Sequence, residues 1–284
     1  MRRFFIDPGA VREGKIYIED AGDVRHIKNV LRMKPGDELT LCDGTGRAYE
    51  GAIEEIGDMV SVSVTDIKYA VAPRTKITLY QCVPKQGKME TIIQKSTELG
   101  AVRFVPVFSA RSVPKPKNAD AKITRWQRIA EEAAKQSGRS VIPVVDIPLS
   151  ISDASETFGE YDLTLFPYEN EDRTTIKDVL REYLETMKTP GAEAPLPPEI
   201  PDQWDTPQSE PHEEDACSGI PQERVSAAHP HIAVIIGPEG GFTDAEAFRL
   251  IDAGARPCSL GGTILRTETA GPASIAMALY EMEL

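Results

Sequence analysis

The chain has 284 residues, which is enough for two domains and for a buried core that needs no disulfide or metal to hold it. Its four cysteines include no Cys-x-x-Cys pair, which argues against zinc ribbons and disulfide frameworks, so we expect a reducing cytoplasm and no metal. Neither a signal peptide nor an apolar run near the ~18 residues of a membrane span is evident, and we expect no membrane partner.

The net charge of −13 would ordinarily count against an RNA partner, because phosphate binding depends on Lys and Arg. The charge is unevenly distributed, however. Residues 189–230 hold nine acidic residues against one arginine, together with nine prolines and few large apolar side chains. We predict that this segment is a disordered acidic insertion, because it cannot repay the entropy of ordering. The rest of the chain then carries only −5.

Residues 1–71 alternate short strands with turns, which predicts a small β-barrel-like domain. The expected strands are 15–18, 38–42, 48–56 and 59–67, with one helix over residues 21–32. Basic residues are concentrated here and could face RNA. The candidate RNA-binding residues are Arg2, Arg3, Arg25, His26, Lys28 and Arg32.

From residue 76 the pattern changes to alternating strands and helices, which predicts an α/β domain with a mainly parallel sheet over residues 76–284. The expected strands are 77–83, 103–107, 161–166, 232–236 and 257–260, and the expected helices are 88–99, 120–136, 174–187, 243–254 and 270–282. The last helix is apolar almost all round, which indicates that it is buried within the domain or shared with a second subunit.

Two glycine-rich turns near the C-terminus are the most informative feature of the chain. The sequences IGPEGG at 236–241 and LGG at 260–262 each follow a strand-like run and open onto a helix, and Arg266-Thr267-Glu268-Thr269 follows the second. Glycine alone can serve as a turn residue, but a turn does not require this polar string. We therefore predict two loops at the carboxyl ends of adjacent strands, where open α/β sheets bind ligands.

These segments, with KMETIIQKSTELGAVRFVPVFSARSV and RWQRIAEEAAKQSGR upstream, resemble the RsmE-type ribosomal RNA uridine-N3 methyltransferases of the SPOUT superfamily. HIKNVLRMKPGDELTLCDGTGRAY is similar to the PUA-like barrel of that family. The resemblance implies a C-terminal SPOUT domain with a trefoil knot that holds S-adenosylmethionine, a homodimer, and methylation of a uridine in 16S rRNA of the small ribosomal subunit. Family members usually have Arg where this chain has Thr263.

The resemblance and the residue types together suggest roles for the residues of the two turns. Arg266 is the first candidate to stabilise a uridine anion, with Arg111 and Arg139 behind it. Glu268 is the carboxylate nearest the pocket in sequence and could act as the base, or it could merely complement the N-terminus of the last helix. The candidate cofactor-binding residues are Phe166, Pro167, Ile236, Gly237, Pro238, Glu239, Gly240, Leu260, Gly261, Ile264, Leu265, Thr269 and Ala270.

Two other functions remain open at this stage. The same fold could methylate a ribose 2′-hydroxyl of RNA. Alternatively, the chain could be a non-catalytic RNA-binding factor in ribosome assembly, for which Thr263 is the one indication in the sequence.

Overall fold

The computed structural model describes residues 3–12, 14–70, 73–85, 87–112, 119–188 and 229–283. Arg2, and all of the predicted insertion except residues 229 and 230, lie outside these ranges. The described residues form two sheets, one in each of the predicted domains.

The first sheet has six strands and confirms the four that the sequence predicts. In spatial order they are β1 (Arg3–Phe5), β4 (Glu38–Cys42), β5 (Arg47–Ile56), β6 (Val60–Tyr69), β3 (Lys15–Ile18) and β2 (Val11–Arg12). β1 and β4 pair in parallel, and the other neighbours are antiparallel. β1 and β2 were not predicted, because two or three residues are too few to show a periodicity.

The predicted helix of the first domain is shorter and less regular than expected. It starts as α1 (Ala21–Arg25), capped by the Asp20 side chain, and continues as a π-helical segment over His26–Val30. Ile27 and Val24 face the core of the sheet. Arg25 and His26 are therefore left exposed on the outer surface.

The second sheet has seven strands that are parallel throughout, which confirms the predicted α/β class. Its strands are β7 (Lys76–Cys82), β8 (Arg103–Phe108), β9 (Val144–Val145), β10 (Leu149–Ser150), β11 (Leu163–Pro167), β12 (His231–Ile236) and β13 (Arg256–Cys258). The order is β10-β8-β7-β12-β11-β13, with β9 beside β8. The strands before the two glycine-rich turns were predicted from the sequence to be adjacent. That prediction is wrong, because β11 lies between β12 and β13.

Helices cover both faces of this sheet. They are α2 (Lys88–Leu99), α3 (Ala119–Ser137), α4 (Ile151–Glu156), α5 (Ile176–Lys188), α6 (Asp244–Asp252) and α7 (Thr267–Glu283). Alternate residues of β7 enter different cores: Ile77 and Leu79 pack with α2, α3, α5 and α7, whereas Tyr80 packs with α4 and α6. α4 was not predicted, although Ser150 and Asp153 form a capping box that marks its start.

The two domains contact each other at the C-terminal end of α3. Lys135 Nζ lies 3.1 Å from Asp23 Oδ1, and Thr45 pairs with Val141 in an isolated β-bridge. None of the helices in the described ranges is long and apolar enough to cross a membrane.

Candidate functional site

The candidate site lies at the carboxyl edge of the parallel sheet, where β12, β11 and β13 end side by side. The turn 237–241 follows β12, Pro167 ends β11, and the loop 259–266 follows β13. The Tyr168 amide donates to the carbonyl oxygen of Cys258 at 3.0 Å and so joins the ends of β11 and β13. Three chain segments therefore meet where ligands bind in sheets of this kind.

The first turn needs glycine at two positions for different reasons. A Cβ at Gly237 would lie 2.8 Å from the Phe242 ring, which is buried in the core. Gly241 has φ +67°, a conformation that side-chain-bearing residues rarely adopt. The predicted capping box of Thr243 and Glu246 is present and starts α6 immediately after the turn.

A buried hydrogen-bond relay ties this turn to the start of α7. Thr267 Oγ1 donates to the carbonyl oxygen of Gly237 at 2.7 Å and accepts from Gln81 Nε2 at 2.9 Å. Gln81 also donates to the carbonyl oxygen of Cys82, at 3.1 Å. Gln81 and Thr267 are both buried. The relay fixes the first turn relative to the Arg266 segment through the end of the central strand β7.

Lys88 links the same two segments from the outside. Its Nζ lies 3.2 Å from Glu239 Oε1 and 3.1 Å from Glu268 Oε2. The Glu239 carboxylate also accepts a hydrogen bond from the Lys85 amide at 3.1 Å, so this side chain is bound to the turn before α2. The pKa of Glu268 is lowered, first by a hydrogen bond from its own backbone amide and then by Lys88 and Arg266.

The guanidinium of Arg111 is hydrogen-bonded to the first turn. Its Nη1 donates to the carbonyl oxygens of Gly240 and Phe242 at 2.7 and 3.2 Å. A Cβ at Gly240 would lie 3.3 Å from Arg111 Cβ. Arg111 was predicted as a reserve catalytic residue, and its contacts are those of a residue that holds the turn in place.

The second loop presents its side chains to open space. Ile264 is 85% exposed, whereas Leu260 and Leu265 pack partly against the core. Gly261 has φ +129°, and a Cβ there would meet no atom within 4 Å. Arg266 is exposed, and within the described ranges its guanidinium has no ion-pair partner. Its carbonyl accepts from the Thr269 and Ala270 amides as α7 begins.

Several predicted cofactor residues can contribute only through the backbone. Phe166 is fully buried and packs its ring against Phe242 and Tyr168, so its side chain belongs to the core. Ile236 and Pro238 are buried as well. The ring of Phe166 is turned away from a ligand, because that face of the strand packs against α6 and its preceding turn, so Phe166 stays a candidate through its backbone alone.

Arg139, the other reserve catalytic candidate, lies away from the candidate site in this chain. Its Nη1 donates to the carbonyl oxygens of Thr97 and Ala101 at 2.8 and 2.7 Å. These carbonyls lie at the C-terminal end of α2, next to the start of β8, whereas the candidate site lies at the other end of the strands. Burial lowers the pKa of Arg139, and its charge satisfies helix carbonyls.

Sequence reasoning missed Gln81 and Lys88 as members of the site. Gln81 was hidden inside an apolar strand, and a polar residue in such a run is the only signal that could have singled it out. Lys88 was predicted only as the first residue of the helix over 88–99. Thr267 was noted only as part of the polar string.

The candidate RNA-binding residues differ in their surroundings. Arg25, His26 and Arg32 are exposed, whereas Lys28 donates to the carbonyl oxygen of Gly57 and Arg3 lies close to Gly138 at the domain contact. Over the ranges that the structure describes, no three His, Cys, Asp or Glu side chains are grouped in a way that would hold a metal ion.

Comparison with known proteins accounts for both domains. The family model described as an RNA methyltransferase domain matches residues 71–193 and 208–279, and the model described as an RNA methyltransferase PUA domain matches residues 18–58. Ribosomal RNA small subunit methyltransferase E of Bacillus subtilis is 31% identical, over 100% of this chain and 98% of its own length. Its counterpart from Synechocystis is 28% identical, over 96% and 76%.

A solved structure supports the same grouping. A ribosomal RNA small subunit methyltransferase E from Neisseria gonorrhoeae, bound to S-adenosyl methionine, superposes with a TM-score of 0.71 at 25% identity and covers 98% of this chain and 96% of its own. The parallel sheet, the glycine-rich turns at its carboxyl edge and these matches agree. The chain therefore belongs to the RNA methyltransferase family that includes ribosomal RNA small subunit methyltransferase E, and it is an RNA methyltransferase with an N-terminal PUA domain.

Proposed function

We propose that this protein methylates N3 of a specific uridine in 16S rRNA of the small ribosomal subunit, in the cytoplasm, with S-adenosylmethionine as the methyl donor. When bound, the cofactor supplies an electrophilic methyl group. The proposal is carried by the 2.7 Å hydrogen bond from Thr267 Oγ1 to the carbonyl oxygen of Gly237. This contact joins the first glycine-rich turn directly to the segment that bears the exposed Arg266.

The residues at the sheet edge fit the cofactor. Ile264, Leu260 and Leu265 offer apolar surface for an adenine, and the open backbone at Gly261 offers polar groups at close range. The Neisseria relative, whose structure contains this cofactor, supports the assignment. We include in the proposal that the loop after β13 and α7 form a trefoil knot, since β13 lies at the sheet edge and α7 returns to pack against β12 and β7.

Arg266 is the proposed catalytic residue. Uridine N3 carries a proton at neutral pH and becomes nucleophilic only when that proton leaves. A guanidinium beside O2 or O4 favours the anion, as a nearby positive charge does for any acid. Arg266 is exposed and unpaired within the described ranges, so its charge is available to a substrate. Much of the remaining rate comes from holding N3 in line with the methyl carbon.

We assign Glu268 to holding Lys88 rather than to accepting the proton. Its lowered pKa keeps the carboxylate ionised and makes it a weak base. Its ion pair with Lys88 also fixes the start of α7, where a negative charge complements the helix dipole. The N3 proton then goes to solvent or to an RNA group while Arg266 stabilises the uridine anion.

Single-turnover rates with saturating RNA and cofactor, measured from neutral to alkaline pH, test the role of Arg266. Arg266→Ala should lower the rate by about 10²- to 10³-fold, as loss of one oxyanion-stabilising donor does. Alkaline pH should restore part of that rate, because more uridine ionises unaided. Arg266→Lys should fall between the two, since it keeps the charge but loses the planar fork. A variant whose saturated rate equals that of the parent at every pH would limit Arg266 to binding.

The first domain is the proposed RNA-binding surface. Arg25 ends α1 and Arg32 follows the π-helical segment, and both side chains are exposed where phosphates can reach them. The double variant Arg25→Glu, Arg32→Glu should weaken RNA binding and flatten its salt dependence while cofactor affinity stays unchanged. An unchanged salt slope would remove this surface from the RNA contact.

We also propose that the protein is a homodimer. On α7, Tyr280 is 69% and Met277 37% exposed, and Leu99 at the end of α2 is 40% exposed. A Cβ at Gly100 would lie 3.1 Å from Leu279 Cδ1, so this end of α2 lies next to the exposed part of α7. Sedimentation of Tyr280→Glu should show a smaller particle than the parent. A parent that sediments as a monomer would contradict the dimer.

A further inference from the structure

A small cleft lies beside the proposed active site, between the N-terminal turns of α2 and α3. Its volume is about 170 Å³, and Val83, Glu90 and Trp126 are among the residues that line it. Drug-sized ligands occupy roughly 300–1,000 Å³, so this cleft is suited to a single planar ring system. Lys88, two residues before Glu90 on the same helix, bridges the first glycine-rich turn and α7.

The cleft has an apolar floor and a charged rim. Trp126 is 4% exposed and packs in the core with Val83. Lys122 and Arg125 are exposed one turn apart at the start of α3. An apolar floor below cationic side chains can accept an unstacked base with its phosphate nearby.

Glu90 is the acidic residue that lines the cleft. Its Oε1 lies 3.4 Å from Arg125 Nη2, and its Oε2 is buried and accepts no hydrogen bond from any described residue. The Arg125 side chain is 70% exposed, so this ion pair contributes little to stability and can open for a ligand. A buried carboxylate oxygen without a donor has an unmet hydrogen-bonding capacity.

We infer that this cleft binds one unpaired guanine of the RNA substrate, near the uridine that is methylated. The inference rests on the proposed function, because it takes the guanine to belong to the RNA that the protein methylates. The Watson–Crick edge of guanine presents two parallel N–H donors, N1 and N2, and these match the two oxygens of Glu90. Adenine, cytosine and uracil each place an acceptor where one of these donors is needed. The guanidinium of Arg125, once released, can stack on the base or contact its phosphate.

The cleft itself provides the probe. Trp126 and Trp204 are the two tryptophans of the chain, so Trp126 is the sole indole fluorophore in a Trp204→Phe background. We expect guanosine monophosphate to change its fluorescence with an affinity about tenfold or more above that of adenosine monophosphate, as for a bidentate base contact. Inosine monophosphate, which lacks the N2 amino group, should bind with intermediate affinity. The preference should disappear in Glu90→Gln and persist in Glu98→Gln, an exposed acid on the same helix.

A second measurement separates an RNA base from a free nucleotide. Replacing guanines near the target uridine with inosine should raise the KM for RNA in the parent, leave kcat unchanged, and have no effect in Glu90→Gln. Equal affinities for the guanine and adenine nucleotides, or a preference that survives Glu90→Gln, would overturn the inference. So would guanosine monophosphate binding that RNA does not compete with. The fluorescence titration needs no methyl transfer, so a chain that shows the guanine preference but does not methylate RNA would refute the proposed function alone.

Discussion

The Thr267 relay provides the most direct test of how the fold shapes the site. Thr267→Val replaces the hydroxyl with a methyl group of similar size, so the Gly237 carbonyl loses its donor and Gln81 Nε2 loses one of its two acceptors. The unsatisfied Gly237 carbonyl costs about 1–3 kcal/mol, and the lost bond from Gln81 adds about 1 kcal/mol, since the Gln81 amide retains the Cys82 carbonyl. We therefore expect a loss of about 2–4 kcal/mol in the free energy of unfolding.

Thr267→Ser is the matched control, because it keeps the hydroxyl and loses one methyl group at a cost of about 1 kcal/mol. Urea unfolding of both variants gives the difference, and calorimetry gives their affinity for S-adenosylmethionine. The valine variant should bind the cofactor more weakly than the serine variant, because the first turn is no longer fixed at Gly237. In the double variant Gln81→Leu, Thr267→Val, both partners are removed, so the two losses should be less than additive. A valine variant within ~0.5 kcal/mol of the serine variant would refute the reasoning.

Two further predictions concern residues at opposite ends of the sheet. Gly240→Val should weaken cofactor binding and cost about 1–3 kcal/mol of stability, because the new side chain displaces Arg111. The control Gly159→Ala should change neither quantity, since a Cβ there meets nothing within 4 Å. An unchanged affinity for the cofactor in Gly240→Val would exclude the first turn from the pocket. Burial, together with the nearby charges of Lys76 and Arg103, lowers the pKa of His231 to about 4. The imidazole therefore stays neutral in the native state, whereas in the unfolded state it takes up a proton below about pH 6.5. The corresponding stability is present above pH 6.5 and is lost as the pH falls towards 4, by roughly 3 kcal/mol at most. His231→Gln, which can still bond to Thr78, should flatten this part of the unfolding profile, and a profile as steep as that of the parent would assign the acid sensitivity to other groups.

The sequence by itself determined the α/β class and most elements of the second sheet. Strand 38–42 and helix 88–99 were predicted with the bounds that the structure has, because each has a clear period and an explicit stop at a turn or glycine. The capping box at Thr243 fixed the start of α6 in the same way. These features are local, so the residues that carry them also specify them.

Only the tertiary structure decided which segments meet at the site. The sequence gives no sign that β11 separates β12 from β13, because strand order depends on how distant segments pair. The sequence likewise could not distinguish Arg139 from Arg266, since both are arginines beside a glycine or a turn. In the structure Arg139 donates to the carbonyls of Thr97 and Ala101, whereas Arg266 has no ion-pair partner within the described ranges. The link from Gln81 to Thr267 spans 186 positions in the chain. Contacts of that separation are fixed by the packing of the whole domain, and the site owes its shape to them.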